Sequence, residues 1–320
     1  MRFRGFVALA ALVMLGAAPA PFQPVEHTAA PPFLDKLSPD EVAYAADIGT
    51  SFERSRSAKW QLAEHRRLST ALAALAPARK GVVEAFVLSV GLDSDPVFGR
   101  EAREAGRVLA RRYGATGHVV TLAGSDGVTP SALPMGSPGN IAAALARIAE
   151  LMGPEDVLVL YTTSHGAQFG VVYNDGDAGF GMLGPSKLAG LLNELGIANR
   201  LLLVSACYSG VFVPTLVTES TAIMTAASST RTSFGCRADN DWTFFGDALI
   251  NRALRKPQPL AIAAAEATMT IAEWEAQGRL TPSEPQSYIG AKAQRWLGVL
   301  ERALPAATAP VGKPATDALK

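Results

Sequence analysis

A thiol and an imidazole stand at the ends of two apolar runs. Residues 201–204 (LLLV) are followed by Ser205, Ala206, Cys207, Tyr208, Ser209 and Gly210, and Val157–Thr163 (VLVLYTT) by Ser164, His165 and Gly166. Cysteine attacks as its thiolate, so it needs a positive neighbour or oriented amides. Histidine can serve as that neighbour and can also protonate a departing amine. Gly166 leaves its backbone N–H open to approach, and with the N–H of Cys207 it could hold an oxyanion. Small Ala206 before the thiol and Ser209-Gly210 after it keep the approach clear. Singly, a strand-ending histidine is more often a loop residue, and a cysteine beside an apolar strand is more often core. The joint pattern is what points to nucleophilic catalysis.

Both runs have the composition of strands buried on both faces, as in a parallel sheet covered by helices. A polar, Gly-rich loop and a helix-length segment, 185–195, lie between them, which makes a βαβ unit whose strands are expected to pair. Paired strands lie about 4.8 Å apart, so His165 and Cys207 emerge side by side where open α/β sheets hold their ligands. The other expected strands are 82–90, 118–122, 221–227 and a short edge strand at 286–290. Helices are expected at 100–113, 140–152, 243–255, 260–277 and 291–304, with a polar loop at 91–99. The fold class that follows is α/β, a doubly wound, mostly parallel six-stranded sheet flanked by helices.

Composition narrows the function classes. The chain has 320 residues, 48% of them hydrophobic, with 29 basic and 29 acidic residues and no formal net charge. That balance shows no basic excess of the kind that nucleic-acid or anionic-membrane partners require. Four histidines and two cysteines form no zinc-like spacing, so no metal or other cofactor is expected. Arg2 and Arg4 precede an apolar run from Phe6 to Ala18, the layout of a secretory signal peptide at 1–20, and the run is too short to span a bilayer comfortably. The expected protein is exported (periplasmic or secreted), with no stable membrane span in the mature chain. Residues 21–81 read as a helical accessory segment with helix starts at Ser38-Pro39-Asp40-Glu41 and near Ser55, and the Ala/Pro-rich 305–320 as a disordered tail.

The pair "apolar strand–SHG" and "apolar strand–SACYSG" resembles the legumain (asparaginyl endopeptidase) family of cysteine peptidases, which share a fold with caspases. The resemblance covers roughly 82–253 and implies that 82–304 form a caspase-like cysteine peptidase domain. It implies Cys207 as nucleophile, His165 as general acid/base, and the Gly166 and Cys207 amides as oxyanion hole. Arg100, Ser233, Asp247 and the position of Ser205 match the family's specificity pocket, and Thr232 adjoins it. A cation and an anion in one pocket suit a side-chain amide, so asparagine is the favoured residue before the cleaved bond. The implied partner is a peptide or protein substrate, and nothing indicates an oligomeric state.

Four departures stand out. Ser205 replaces the family's acid two residues before the cysteine, and Ser164 its aspartate before the histidine. Phe98 falls where the family has the asparagine that orients the histidine, so a backbone carbonyl is expected to orient His165. The segment after Gly278 is shorter than the family's helical pro-domain, leaving 21–81 as the expected source of any latency. Two alternatives accompany the peptidase reading. One is a transamidase of the same family; the other is a non-catalytic exported binding domain stapled by a Cys207–Cys236 disulfide, the usual fate of two cysteines in an oxidising compartment. Family members can carry cysteine at the place of Cys236, which argues against that pairing.

Overall fold

The computed structural model describes residues 36–124, 132–176 and 178–319; the expected signal segment lies outside them. The elements run α1 (Pro39–Asp47), β1 (Ser51–Glu53), α2 (Ala58–Ala73), β2 (Ala85–Gly91), α3 (Pro96–Arg112), β3 (Val119–Leu122), α4 (Pro138–Leu151) and β4 (Val157–Thr163). They continue with β5 (Gly166–Ala167), β6 (Gly170–Asp175), β7 (Gly179–Leu183), α5 (Pro185–Glu194), β8 (Arg200–Ser205), α6 (Phe212–Leu216), β9 (Thr221–Thr225), α7 (Leu260–Gln277), β10 (Gln286–Ile289) and α8 (Ala293–Leu300).

Six strands form the central sheet in the order β10-β9-β8-β4-β2-β3, every pairing parallel except β10 with β9. Alternation along its strands divides the core in two. Val87, Val159, Tyr161, Leu201 and Leu203 face a cluster closed by α3, α7 and α8, whereas Leu88, Leu158, Leu160, Leu202 and Val204 face α4, α5 and α6. Strands so enclosed have no solvent face, which is why their sequences are continuous apolar runs.

Several helix starts share one device. In α1, α3, α4 and α5 a proline stands at the first helical position, where its missing N–H costs no hydrogen bond. Asp95-Pro96 thereby starts α3 four residues earlier than expected, and Arg100 sits inside its first turns instead of opening it. The expected 243–255 helix is instead a π-helical turn, Gly246–Arg252, followed by a 3-10 turn.

Two expectations are corrected. The polar loop after His165 is a small antiparallel sheet in the order β1-β7-β6-β5. Its glycines hid the strand pattern, yet bare Cα atoms are needed there: a Cβ at Gly181 would crowd the backbone of Thr50 and Ser51 in the pairing with β1. The accessory segment therefore supplies a strand as well as its two helices. It is further fastened by the Arg56–Asp175 ion pair, by Tyr173 Oη donating to Glu53 Oε1 at 2.6 Å, and by Glu64 Oε1 accepting from the Met135 amide at 2.7 Å.

The carboxyl-terminal residues, expected to be disordered, lie along the domain. Val311 O accepts from Trp242 Nε1 at 2.8 Å and Asn251 Nδ2 at 3.0 Å, and Ala315 is fully buried with its N–H on Asp247 Oδ2 at 2.9 Å. Composition suggested disorder, but backbone groups make most of these bonds, and Ala and Pro offer those as well as any residue. Deleting residues 306–320 should therefore lower stability by about 2–4 kcal/mol, since it strips partners from buried polar groups. Urea unfolding of the truncated chain measures this; a tail without contacts would leave the midpoint unchanged.

Candidate active site

The sheet register brings the two reactive residues to one rim. Thr163 of β4 is paired with Ser205 of β8, and the Ser164 amide donates to Ser205 O at 3.1 Å. His165 and Cys207 each follow two residues beyond that rung. Gly166 is packed so closely on the Cys207 turn that a Cβ there would overlap the Cys207 carbonyl oxygen. The turn itself is bent: Tyr208 has φ 58° and ψ 13°, left-handed backbone that costs a residue with a Cβ about 1 kcal/mol or more. It is held by the Tyr208 amide on Arg231 O at 2.8 Å and by Ser209 Oγ, which accepts from the Ala227 amide at 3.2 Å.

The sulfur of Cys207 meets Ser233. The Ser233 amide donates to Sγ at 3.2 Å, and Ser233 O and Oγ lie 3.6 Å from it. Ser233, expected to line the pocket, instead touches the Cys207 sulfur; Thr232 is exposed.

His165 is oriented by a carboxylate, not by the expected backbone carbonyl. Its Nε2 lies 3.0 Å from Asp95 Oδ2, and Phe98 packs edge-on against the imidazole with ring centroids 5.0 Å apart. Asp95 is placed by its own amide, which donates to Asp93 Oδ1 at 2.8 Å. The loop carrying both acids is laced to β6 through Ser94 N to Asn174 O, 2.9 Å, and Asn174 N to Leu92 O, 3.1 Å. Oxygen and nitrogen atoms of Asp93, Asp95 and His165 lie within 4.8 Å of one another, near enough to hold a cation. Here they make a hydrogen-bonded chain that ends on the imidazole. The signal for Asp95 was present in the acids of DSDP, just beyond β2 at the functional rim.

Beneath the rim lies a buried carboxyl. Glu101, fully buried, accepts from Tyr161 Oη, from Thr163 Oγ1 at 2.7 Å, and from the Thr243 amide and hydroxyl at 2.6 and 3.2 Å. Thr243 Oγ1 is also 3.0 Å from Ser205 Oγ. The network therefore joins the strand before His165 to the strand before Cys207. Ser205, expected to line the pocket, is buried inside this network. Burial pushes the Glu101 carboxyl above the usual carboxylate range, and the four donors offset part of the rise.

Arg100 and Asp247, expected to share a pocket, are not brought together. Asp247 is fully buried, with its oxygens on Asn251 Nδ2, the Arg252 guanidinium and the Ala315 amide. The acid facing Arg100 is Asp241, with Oδ1 3.0 Å from Arg100 Nε. Arg100 Nη2 also donates to Asn240 O and to Ala238 O, the latter at 2.5 Å. The other oxygen of Asp241, Oδ2, takes the Lys313 amide at 2.7 Å, so the carboxyl-terminal tail braces this pair. Asp247 sits in a turn whose inner face is apolar core, which is why its charge is enclosed rather than presented.

Both cysteines are free, so the disulfide-stapled binding domain is not what this structure shows. Burial pushes the Cys236 thiol well above the usual thiol range, and the neighbouring Cys207, Glu101, Asp93 and Asp95 push the same way. Among the described residues no helix is long and apolar enough to cross a membrane.

Residues 139–296 match the model of the peptidase C13 family, which contains both His165 and Cys207 in its span. No curated protein matches the chain. Among solved structures, one titled pro-sf-caspase-1 aligns at 14% identity with a TM-score of 0.41, covering 67% of this chain and 90% of that one. The family match supports a cysteine peptidase.

Two measurements follow. A raised Glu101 pKa means the folded state holds its proton more tightly than the unfolded one, so its contribution is fully present below the ordinary carboxylate range and is lost as pH rises through the folded value. Glu101→Gln, which cannot ionise, should flatten the fall in stability between acidic and neutral pH; equal pH slopes for the two proteins in urea titrations would refute this. Gly166→Ala should displace the Cys207 turn and slow alkylation of Cys207 by iodoacetamide at least tenfold. Mass spectrometry of the labelled peptide reads that out.

Proposed function

From the resemblance of residues 139–296 to the C13 (legumain) peptidases, we propose that this chain is an exported cysteine endopeptidase with a preference for asparagine before the cleaved bond. The observation that carries the reading is the common rung, Thr163 with Ser205, beyond which a histidine and a cysteine follow at equal distance. Two unrelated core strands ending in these two residue types at one level are what a thiol–imidazole pair requires.

In the proposed reaction the Cys207 thiolate adds to the peptide carbonyl, giving a tetrahedral oxyanion held by the Gly166 and Cys207 amides. Collapse expels the amine, which takes a proton from His165, and leaves a thioester on Cys207. Water, deprotonated by His165, then attacks the thioester, releasing the acid and restoring the thiol. Asp95 on Nε2 holds the imidazole with Nδ1 as the nitrogen that exchanges protons with the thiol, the leaving amine and the water. Substrate selection falls to Arg100 with Asp241 in place of Asp247. A guanidinium donates and a carboxylate accepts, which together match the carbonyl and NH2 of an asparagine side chain. The export component rests on the composition of the first twenty residues.

The test is covalent labelling by an electrophilic peptide probe in asparagine, aspartate and alanine versions. The asparagine probe should label Cys207 fastest, and Cys207→Ala should take no label and show no hydrolysis while unfolding at the same urea concentration. Peptidase activity persisting in Cys207→Ala would exclude the mechanism. Asp95→Ala should lower kcat by about ten- to a hundredfold with KM little changed, because it loosens the imidazole without touching the substrate pocket. A change confined to KM would place Asp95 in binding instead.

A further inference from the structure

A cavity of about 480 Å³ opens at the end of the sheet opposite Cys207. Its wall includes Leu192, Ile197, Arg200, Thr218, Ser220 and Lys292. Arg200 begins β8, the strand that ends two residues before the nucleophile, and only 3% of it is exposed. Its donors reach three neutral oxygens, two of them at long range: Thr221 Oγ1 at 3.1 Å, Leu216 O at 3.3 Å and Ile197 O at 3.5 Å. Among the described residues no carboxylate pairs with it.

A guanidinium cannot shed its proton inside a protein, and a buried charge without a counterion is costly. The chain tolerates this one partly because Leu216 closes α6 and the carboxyl end of α5 borders the cavity; carbonyls at helix ends carry partial negative charge. That compensation uses three of five N–H groups and adds no full negative charge. At the rim Lys292 Nζ is 2.9 Å from Glu219 Oε2, so those two charges cancel. Inside the cavity the Arg200 charge is left without a full counter-charge, set behind apolar Leu192 and Ile197.

We propose that this cavity binds a ligand bearing a single carboxylate and a short apolar body. The guanidinium fork matches a carboxylate in two parallel hydrogen bonds, and one unbalanced positive charge suits a monoanion better than a phosphate dianion. Lys292 stands at the entrance, and Leu192 and Ile197 take the apolar part. Such a carboxylate comes either from a free organic acid or from the carboxyl terminus of a peptide. The assignment stands on Arg200 and its surroundings and does not depend on the peptidase reading.

The experiment is calorimetric titration of the full chain with hexanoate, with a short peptide acid ending in leucine, with the same peptide as its terminal amide, and with inorganic phosphate. Hexanoate or the peptide acid should bind, and the amide should not. Tighter binding of the peptide acid identifies a peptide terminus as the source; equal or tighter binding of hexanoate identifies a free acid. Arg200→Lys, which keeps the charge and loses the fork, should weaken binding roughly tenfold or more. Lys292→Ala, an exposed rim change, should weaken it several-fold with the unfolding midpoint unchanged. Should Arg200→Lys not fold, the acid–amide comparison and Lys292→Ala still decide. Binding of the amide as tight as the acid, phosphate tighter than either carboxylate, no binding at millimolar concentration, or no effect of Lys292→Ala would overturn the proposal.

Discussion

The parallel pairing of β4 with β8 is the interaction on which the site depends. Each strand is a short apolar run with no freedom to turn a side chain to solvent, so a slip of one residue would drive core groups to the wrong cluster. Leu158, Leu160, Leu202 and Val204 on one face and Val159, Tyr161, Leu201 and Leu203 on the other lock that register. Once it is locked, the last rung is Thr163 with Ser205, and the next residues have to leave the sheet together. Core packing thus sets the level at which His165 and Cys207 emerge, and the Ser164 amide on Ser205 O ties the two strand ends together just before they do.

Below that rung, Glu101 converts two adjacent strands into one supported platform. Its oxygens gather hydroxyls from β4 and both the amide and the hydroxyl of Thr243, and Thr243 in turn meets Ser205. The acid comes from α3, the helix that also carries Arg100 and whose amino-terminal cap is Asp95. One helix therefore serves three levels: Asp95 at the imidazole, Arg100 beside Asp241, and Glu101 under the platform. Starting α3 at Pro96 is what phases these residues, because four more residues of loop in place of its first turn would separate Asp95 from the helix's rigid body.

Segments that composition marks as peripheral are tied to this same region. The accessory segment adds β1 to the small sheet that begins at Gly166, and Arg56 ties it to Asp175 at the end of β6. The carboxyl-terminal tail reaches Asp241 through the Lys313 amide. Both fastenings bear on the segments that follow the central strands rather than on the central sheet, and connections at the carboxyl end of parallel strands are where such folds keep their chemistry.

The residue string alone determined the strands of the central sheet and singled out His165 and Cys207 as a candidate pair. Short apolar runs bounded by turn residues read as enclosed strands, and the two that end in SHG and SACYSG carry an imidazole and a thiol at the stop. Gln286–Ile289 was legible as an edge because it is short and follows prolines. What the string left open was every contact between residues far apart along the chain. DSDP was visible as acids, yet choosing Asp95 to hold His165, 70 positions away, required the β2–α3 turn to fold against β6. Asp241 and Asp247 look equivalent in sequence, and only packing shows one facing Arg100 and the other sealed against Ala315. Local pattern specifies which side a residue takes in its own element; which partner waits there is decided by the fold, because burial and hydrogen-bond geometry exist only after distant segments meet.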